Sequence, residues 1–395
     1  MLAIVRRRVY CVLVVLAVGG SMASGAPMLI GLGDLTGGSF ASDGDNVAPN
    51  GTAAVGNSDS PAGAEAFLWT PAGGMIGLGF LPGRGESDAY AVSDGGAVVV
   101  GIGTSSGGGA AFRWTAAGGM TDLGPLPPGG GGSVATGISA DGAVIVGTYI
   151  TATGREAFRW TTGGGFMTLG DLSSGIFFPD SWAMGISPDG TSIVGRSLND
   201  SGFLEAFRWR SVGGMIGLAD LAGGAFSSVA RAASADGSVV VGRGTSASGT
   251  EAFRWEAGSM TGLGDLAGGA FSSEALGVSG DGSIVVGLSR GAADGTNRAF
   301  LWTAADGMQD LRDILLGAGT TGLEGWTLYA ATGISTDGRT IVGFGINPIG
   351  RPEGWIVTIP EPSSLALLTA AALVLVRSRV WVRSTACVKT FSKAS

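Results

Sequence analysis

The sequence predicts an all-β fold, a seven-bladed β-propeller of four-stranded antiparallel blades whose ring is closed by its N-terminal strand. Three observations carry this. First, the word Ala-Phe-x-Trp recurs at Ala66-Phe67-Leu68-Trp69, Ala111-Phe112-Arg113-Trp114, Ala157-Phe158-Arg159-Trp160, Ala206-Phe207-Arg208-Trp209, Ala252-Phe253-Arg254-Trp255 and Ala299-Phe300-Leu301-Trp302, with a worn copy at Gly354-Trp355. A period in the mid-forties marks one supersecondary unit copied about or along an axis. Second, a turn pair recurs in phase with that word, at Asn50-Gly51, Gly95-Gly96, Asp141-Gly142, Asp189-Gly190, Asp236-Gly237, Asp281-Gly282 and Asp337-Gly338. Third, one unit is split: residues 28–35 read as a fourth strand with no preceding three, and the last copy stops at its third strand, residues 353–359. An open β-solenoid, the competing architecture, has no reason to divide a unit between its ends.

Before the first strand, residues 1–26 run from Arg6-Arg7-Arg8 through an apolar stretch into small residues ending at Ala23 or Ala26, the three-part build of a secretory signal. The apolar run is shorter than the roughly 20 residues a membrane span needs, which counts against a retained anchor. Residues 28–360 form the repeated body.

Within the body, the copy covering residues 133–172 shows every part. Residues 134–139 are a short apolar stretch, and Asp141-Gly142 supplies a two-residue hairpin tolerant of positive φ. Val144-Ile145-Val146-Gly147 is a β-branched strand ending on a glycine that recurs as Gly56, Gly101, Gly195, Gly242, Gly287 and Gly343. Residues 156–161 read as the third strand, Gly163 to Gly165 as a turn, and residues 167–172 as the fourth. Apolar residues on both strand faces suit sheets covered by neighbours on both sides.

Composition narrows function. The body holds fifteen arginines, no lysine and thirty carboxylates, a net −15 that opposes nucleic-acid binding. Histidine is absent from all 395 residues, which removes the commonest general base and transition-metal ligand and argues against an enzyme. Cys11 and Cys387 lie outside the repeats, so the body forms no internal disulfide. No cofactor or metal is expected: the Asp-Gly pairs lack the further carboxylates of calcium loops, and Asp43-Gly44-Asp45-Asn46 is too short a cluster for a metal claim.

After the body, Pro360-Glu361-Pro362 precedes an apolar run, residues 365–376, followed at once by Arg377 and Arg379. This order resembles the bacterial PEP-CTERM sorting signal over residues 360–383. The resemblance implies an exosortase-type processing enzyme as partner, membrane association through the C-terminal segment before processing, and a setting of exopolysaccharide and biofilm. Family tails stop soon after the arginines, whereas this chain adds a polar tail, residues 384–395. A plain C-terminal anchor is the alternative, and both readings place the body at the cell surface or outside the cell. The repeats themselves resemble the HAF family of extracellular repeats, through the Ala-Phe-x-Trp word and Leu-Gly-x-Leu strands at Leu32-Gly33-Asp34-Leu35, Leu169-Gly170-Asp171-Leu172 and Leu263-Gly264-Asp265-Leu266. The family's histidine position here holds Glu65, Ala110, Glu156, Glu205, Glu251 and Arg298, so no histidine-dependent role carries over.

The repeated Phe and Trp read as blade-contact fillers rather than a sugar-stacking array. Ligand contacts are expected at aromatics that break the pattern on connections, Phe177, Phe178, Trp182, Trp326 and Tyr329. Arg113, Arg159, Arg208 and Arg254 read as partners of neighbouring carboxylates such as Asp171 or Asp220. Glu156, Glu205 and Glu251 belong to the repeat, whereas an active site is an exception to it. The expectation is a non-catalytic binding or structural module linked to extracellular polysaccharide, its ligand on the axis or the loop face. The rival is a polysaccharide hydrolase or lyase, which needs two carboxylates, for example Asp180 and Glu324, about 5 to 10 Å apart in one pocket. Processing predicts that protein recovered from the culture medium has an intact mass lacking the residues that follow the Pro-Glu-Pro motif. A mass that retains Ser395 contradicts it.

Overall fold

Sheets with apolar residues on both faces must be covered on both, and sheets standing radially around an axis cover one another. The computed structural model, which describes residues 27–105, 108–175, 178–290 and 295–359, shows this arrangement. The leader 1–26, Phe177 and the tail from Pro360, including Glu361, Pro362, Arg377 and Arg379, lie outside the described residues. Among those described, seven four-stranded antiparallel sheets form the blades. Blades 1 to 6 span residues 42–77, 86–122, 132–168, 181–217, 229–262 and 273–310, and blade 7 joins residues 327–358 to Leu29–Gly31.

The ring closes as the split unit requires. Leu29 pairs with Val357, Ile30 with Ile356 and Gly31 with Trp355. Beyond the paired residues the first segment repeats contacts made after the fourth strand in other blades. Leu32 N–H donates to the Gly354 carbonyl at 2.8 Å as Leu78 N–H does to Ala66 at 2.9 Å. Gly33 N–H donates to Glu353 Oε1 at 3.0 Å, as Gly79 N–H does to Glu65 Oε1 at 2.9 Å.

A second closure runs around the hairpin tips. Asp94 N–H donates to the Ala140 carbonyl, Ala140 to Pro188, Ala235 to Gly280, Gly280 to Thr336 and Thr336 to Pro49, each blade gripping the next. Pro49 and Pro188 have no N–H to give. There the following residue donates instead: Asn50 N–H to Asp94 Oδ1 at 2.9 Å, and Asp189 N–H to the Ala235 carbonyl at 3.3 Å.

Packing explains the repeated word. Phe67, Phe112, Phe158, Phe207, Phe253 and Phe300 are fully buried, and Trp355 takes the same slot in blade 7. They lie in seven clusters, each spanning one blade–blade boundary, so they are core and not a stacking array. The recurring glycine lies within the second strand rather than at its end: Gly147 sits inside Ile145–Ile150. A Cβ there would collide with the Val134 carbonyl and crowd the Phe158 ring, so glycine lets the inner strand and the phenylalanine meet.

The structure corrects three further strand readings. The hairpin at Asp141-Gly142 is a four-residue connection, because Ser139 N–H bonds the Val144 carbonyl while the Ser139 hydroxyl accepts Val144 N–H and donates to Asp141. The fourth strand of blade 3 is Gly165–Thr168, not 167–172. Leu169 then tucks into the core and Gly170, at φ 78°, turns the chain away, so the Leu-Gly-x-Leu word is an exit and not a strand. A short helix, Leu311–Gly317, interrupts the connection into blade 7; Asp310 caps it by accepting Arg312 N–H, and Leu311 and Leu315 are buried.

Leu32 in the latch and Leu78 in blade 1 are equivalent and equally enclosed, at 3% and 5% exposure. Leu32→Ala is therefore expected to cost about 2–5 kcal/mol in chemical denaturation, as Leu78→Ala does. A negligible loss at Leu32 alone would show that the first segment stands outside the cooperative unit.

Candidate functional site

Every inner strand carries a bulge at the same register position, which leaves one residue per blade unpaired. These residues are Asp45, Tyr90, Thr136, Met184, Arg231, Leu276 and Thr332. A bulge re-aims a side chain without ending the strand, and those of blades 3 to 7 line the axial cavity. The next residues toward the hairpin tips are small or short, among them Gly137, Gly185, Gly277 and Gly333, and the cavity measures about 130 Å³. Ligand pockets start at roughly 300 Å³, so the axis itself is too narrow for a sugar chain. The open mouth, on the side of the connections between blades, is the candidate site.

One side of the mouth is basic and aromatic. Trp182 lies directly across the strand pair from Arg196. Its ring is contacted by two guanidinium groups, Arg155 at 5.1 Å and Arg196 at 5.2 Å, in the geometry of cation–π attraction. Trp182 Nε1 donates to Asp180 Oδ1 at 3.0 Å, which fixes the ring. In blade 5, Arg231 contacts Glu274 at 2.6 Å, and Arg243 shares that carboxylate at 3.6 Å. Four arginines thus face two acids. Arg196 Nε is buried without a partner. Burial lowers the Arg196 pKa, Asp180 opposes the shift, and repulsion from Arg231, Arg243 and Arg155 adds to it.

The other side, on blades 1 and 2, is acidic. Burial holds Asp45 well above the ordinary carboxylate range, and the neighbouring charges of Asp88 and Asp43 push the same way. Asp45 Oδ2 has no hydrogen-bond partner and is shut off from solvent. Burial also raises Asp88, against hydrogen bonds from Asn57 and Tyr90, and raises Asp43, with Asp88 adding to the effect. The Tyr90 hydroxyl is pushed up by burial and by Asp88. Among the described residues, no group of three or more acidic or cysteine side chains is arranged to hold a metal ion.

The structure sorts the residues singled out from sequence. Trp182 joins the basic side, half-buried. Phe178, in the connection before it, is 74% exposed, whereas the connection residues Phe40 and Phe226 have ring contacts, Phe40 with Arg351 at 5.5 Å and Phe226 with Phe203 at 6.0 Å. Trp326 is not available to a ligand, since it is buried with Leu311, Leu315 and Leu323 under the helix. Tyr329 is half-buried at an extra bulge. It stands where the other blades carry a stitching serine, such as Ser87, which accepts Ala66 N–H and donates to the Gly79 carbonyl. The third-strand arginines do not meet Asp171 or Asp220. Arg208 and Arg254 bond the turn carbonyls Gly237 and Gly282 of the next blade, and Arg254 also pairs with Glu256. Glu205 and Glu251 accept backbone N–H groups from Ala219 and Gly264, a structural duty. Asp180 belongs to blade 4 and holds Trp182, while Glu324 is exposed ahead of blade 7. The carboxylates that do converge are Asp45 and Asp88, with Asp43 beside them. Aligning the chain on the stitching serine would have found them, because Asp45, Tyr90 and Arg231 each stand three residues after Ser42, Ser87 and Ser228.

Raised carboxyl pKa values mean that the folded state holds protons the unfolded chain releases, so stability falls as pH rises from the ordinary carboxylate value upward. Asp236 acts oppositely: hydrogen bonds from the Ser238 hydroxyl and N–H, joined by Ser234, lower it to about 2, and its contribution is lost as pH falls from 3.8 toward that value. Denaturation of the wild type between pH 4.5 and 9 is expected to show the decline, and Asp45→Asn to flatten it. An unchanged slope in the variant contradicts this account of the acidic side.

No family model matches the chain, and no curated protein matches it. The chain is similar to solved structures at low identity. TolB from Acinetobacter baumannii is 14% identical over 65% of this chain with a TM-score of 0.44, and the match spans 62% of TolB. An oligogalacturonate lyase in complex with manganese is 12% identical over 82% of this chain and 89% of its own, at 0.48. The β-propeller domain of the Trilobed protease from Pyrococcus furiosus is 10% identical over 66% and 79%, at 0.39. No residue role is transferred from them.

Proposed function

We propose that this protein is an exported propeller of the cell surface or extracellular matrix that binds an anionic polysaccharide at its channel mouth without transforming it. The observation that carries the reading is Trp182 in contact with Arg155 and Arg196, with Arg231 and Arg243 in the next blade. An aromatic face stacks on a sugar ring. Guanidinium forks take its carboxylate or sulfate in paired hydrogen bonds. Arg196 already carries a buried, unpartnered Nε, and an incoming anion relieves both that loss and the repulsion among the four arginines. The exposed ring of Phe178, four residues before Trp182, extends the apolar surface for a longer chain. Export and sorting rest on the two terminal segments of the sequence, and the absence of histidine supports binding over catalysis.

Binding of hyaluronan, alginate and polygalacturonate to the full-length protein tests this by calorimetry. At least one is expected to bind, with affinity falling as salt rises. Trp182→Ala is expected to weaken it roughly tenfold or more, about 1.4 kcal/mol per decade. Absence of binding to all three, or binding indifferent to Trp182 and Arg196, contradicts the assignment. Turnover of any of these glycans would instead establish the hydrolase or lyase reading.

A further inference from the structure

The bulge position shows what blades 1 and 2 have given up. In blades 3 and 7 it holds a threonine that donates its hydroxyl to the next blade: Thr136 to the Ala183 carbonyl at 2.8 Å and Thr332 to the Gly44 carbonyl at 2.6 Å. Asp45 stands at that position in blade 1, and its carboxyl makes no such bond to the next blade. It is instead enclosed, with Oδ2 facing no partner, beside the carboxylates of Asp88 and Asp43. Two hydrogen bonds orient Asp88, from Asn57 Nδ2 at 3.2 Å and from the Tyr90 hydroxyl. A like-charged group kept where a threonine would join the blades costs stability. The structure therefore holds an unmatched negative side and an unmatched positive side on one mouth.

Between the two sides, blade 3 contributes Val134, Thr136 and Thr148 and blade 7 contributes Thr332, while blade 6 sets Leu276 and Leu288 beside Glu274, the carboxylate already held by Arg231 and Arg243. The mouth is a dipole laid across the ring opening. A purely anionic chain satisfies the arginines and meets repulsion from Asp43, Asp45 and Asp88. A divalent cation is not the natural occupant, since these carboxylates are not arranged as a metal-ligand set. An ammonium group suits them better, because it offers up to three N–H donors to separate acceptors and needs no fixed coordination polyhedron.

We propose that the mouth selects a zwitterionic acidic glycan, with a free amino group on one sugar unit held by Asp45 and Asp88 while the carboxylate of an adjacent unit is held by Arg196 and Arg231. This rests on the binding reading above and adds the chemical class of the ligand. Matched probes exist: a hyaluronan oligosaccharide, alternating glucuronate with N-acetylglucosamine, and the same oligosaccharide after de-N-acetylation. The full-length protein is expected to bind the amino form at least tenfold more tightly than the acetylated form at neutral pH. Asp45→Thr copies blades 3 and 7 and keeps a donor for the next blade, so it is expected to fold; it should erase the preference without weakening hyaluronan binding. Asp88→Asn is a second variant with the same expected outcome.

Equal affinity for the two forms overturns this inference and leaves the polysaccharide reading standing. A preference that survives both variants overturns it too. Binding of neither form also overturns it, and alginate and polygalacturonate then decide the broader reading independently.

Discussion

Every blade in this protein depends on the one before it for the burial of its repeated aromatic ring, and that dependence closes only if blade 1 finds blade 7. A radial sheet has no core of its own. Phe67 is buried against Leu32, Val342 and Ile356, residues drawn from the latch and from blade 7. Breaking the ring at that boundary would expose not one side chain but two whole sheet faces. The first segment therefore does more than add a strand: it covers the edge of Pro352–Thr358, where unpaired backbone groups would otherwise invite pairing with another chain. The circle of backbone bonds at the hairpin tips fixes the blades at one end of the axis.

Closure leaves the opposite end free to vary. The hairpin end keeps a positive-φ glycine in every blade and, in blades 2 to 7, a serine whose hydroxyl satisfies a buried amide. At the mouth, the bulged residue has no strand partner and no required size. That freedom explains why Asp45, Tyr90, Met184, Arg231 and Leu276 differ in one ring of equivalent positions. Burial then amplifies the differences, because charges with little water around them repel or attract more strongly than at the surface. The acidic and basic sides are consequences of a few substitutions placed where the fold tolerates them.

The repeat made the scaffold readable and hid the site. Phe158 and Gly147 recur with their neighbours, so their period alone announced the blade, and the unpaired strand at residues 28–35 announced the closure. The strand ends were less legible: Gly170 was read into a strand because Leu169 and Leu172 look like strand residues, yet its positive φ ends it. Trp326 broke the pattern and suggested a ligand, but the helix at Leu311–Gly317 that buries it is marked only by the Asp310 cap and the spacing of Leu311, Ile314 and Leu315. Trp182 was legible as an exception to the repeat. Its guanidinium partners were not, because Arg155 and Arg196 are 41 positions apart in the sequence and meet only through the strand register.

The central claim is that the first segment is an integral strand of the last blade. Hydrogen exchange of the full-length protein reads it directly, through peptides covering residues 28–35 and 352–358. The account predicts that amides such as Leu29 and Leu32 exchange as slowly as those of the strand they pair with, both limited by opening of the ring. Rapid exchange in residues 28–35 alongside lasting protection in residues 352–358 would contradict it.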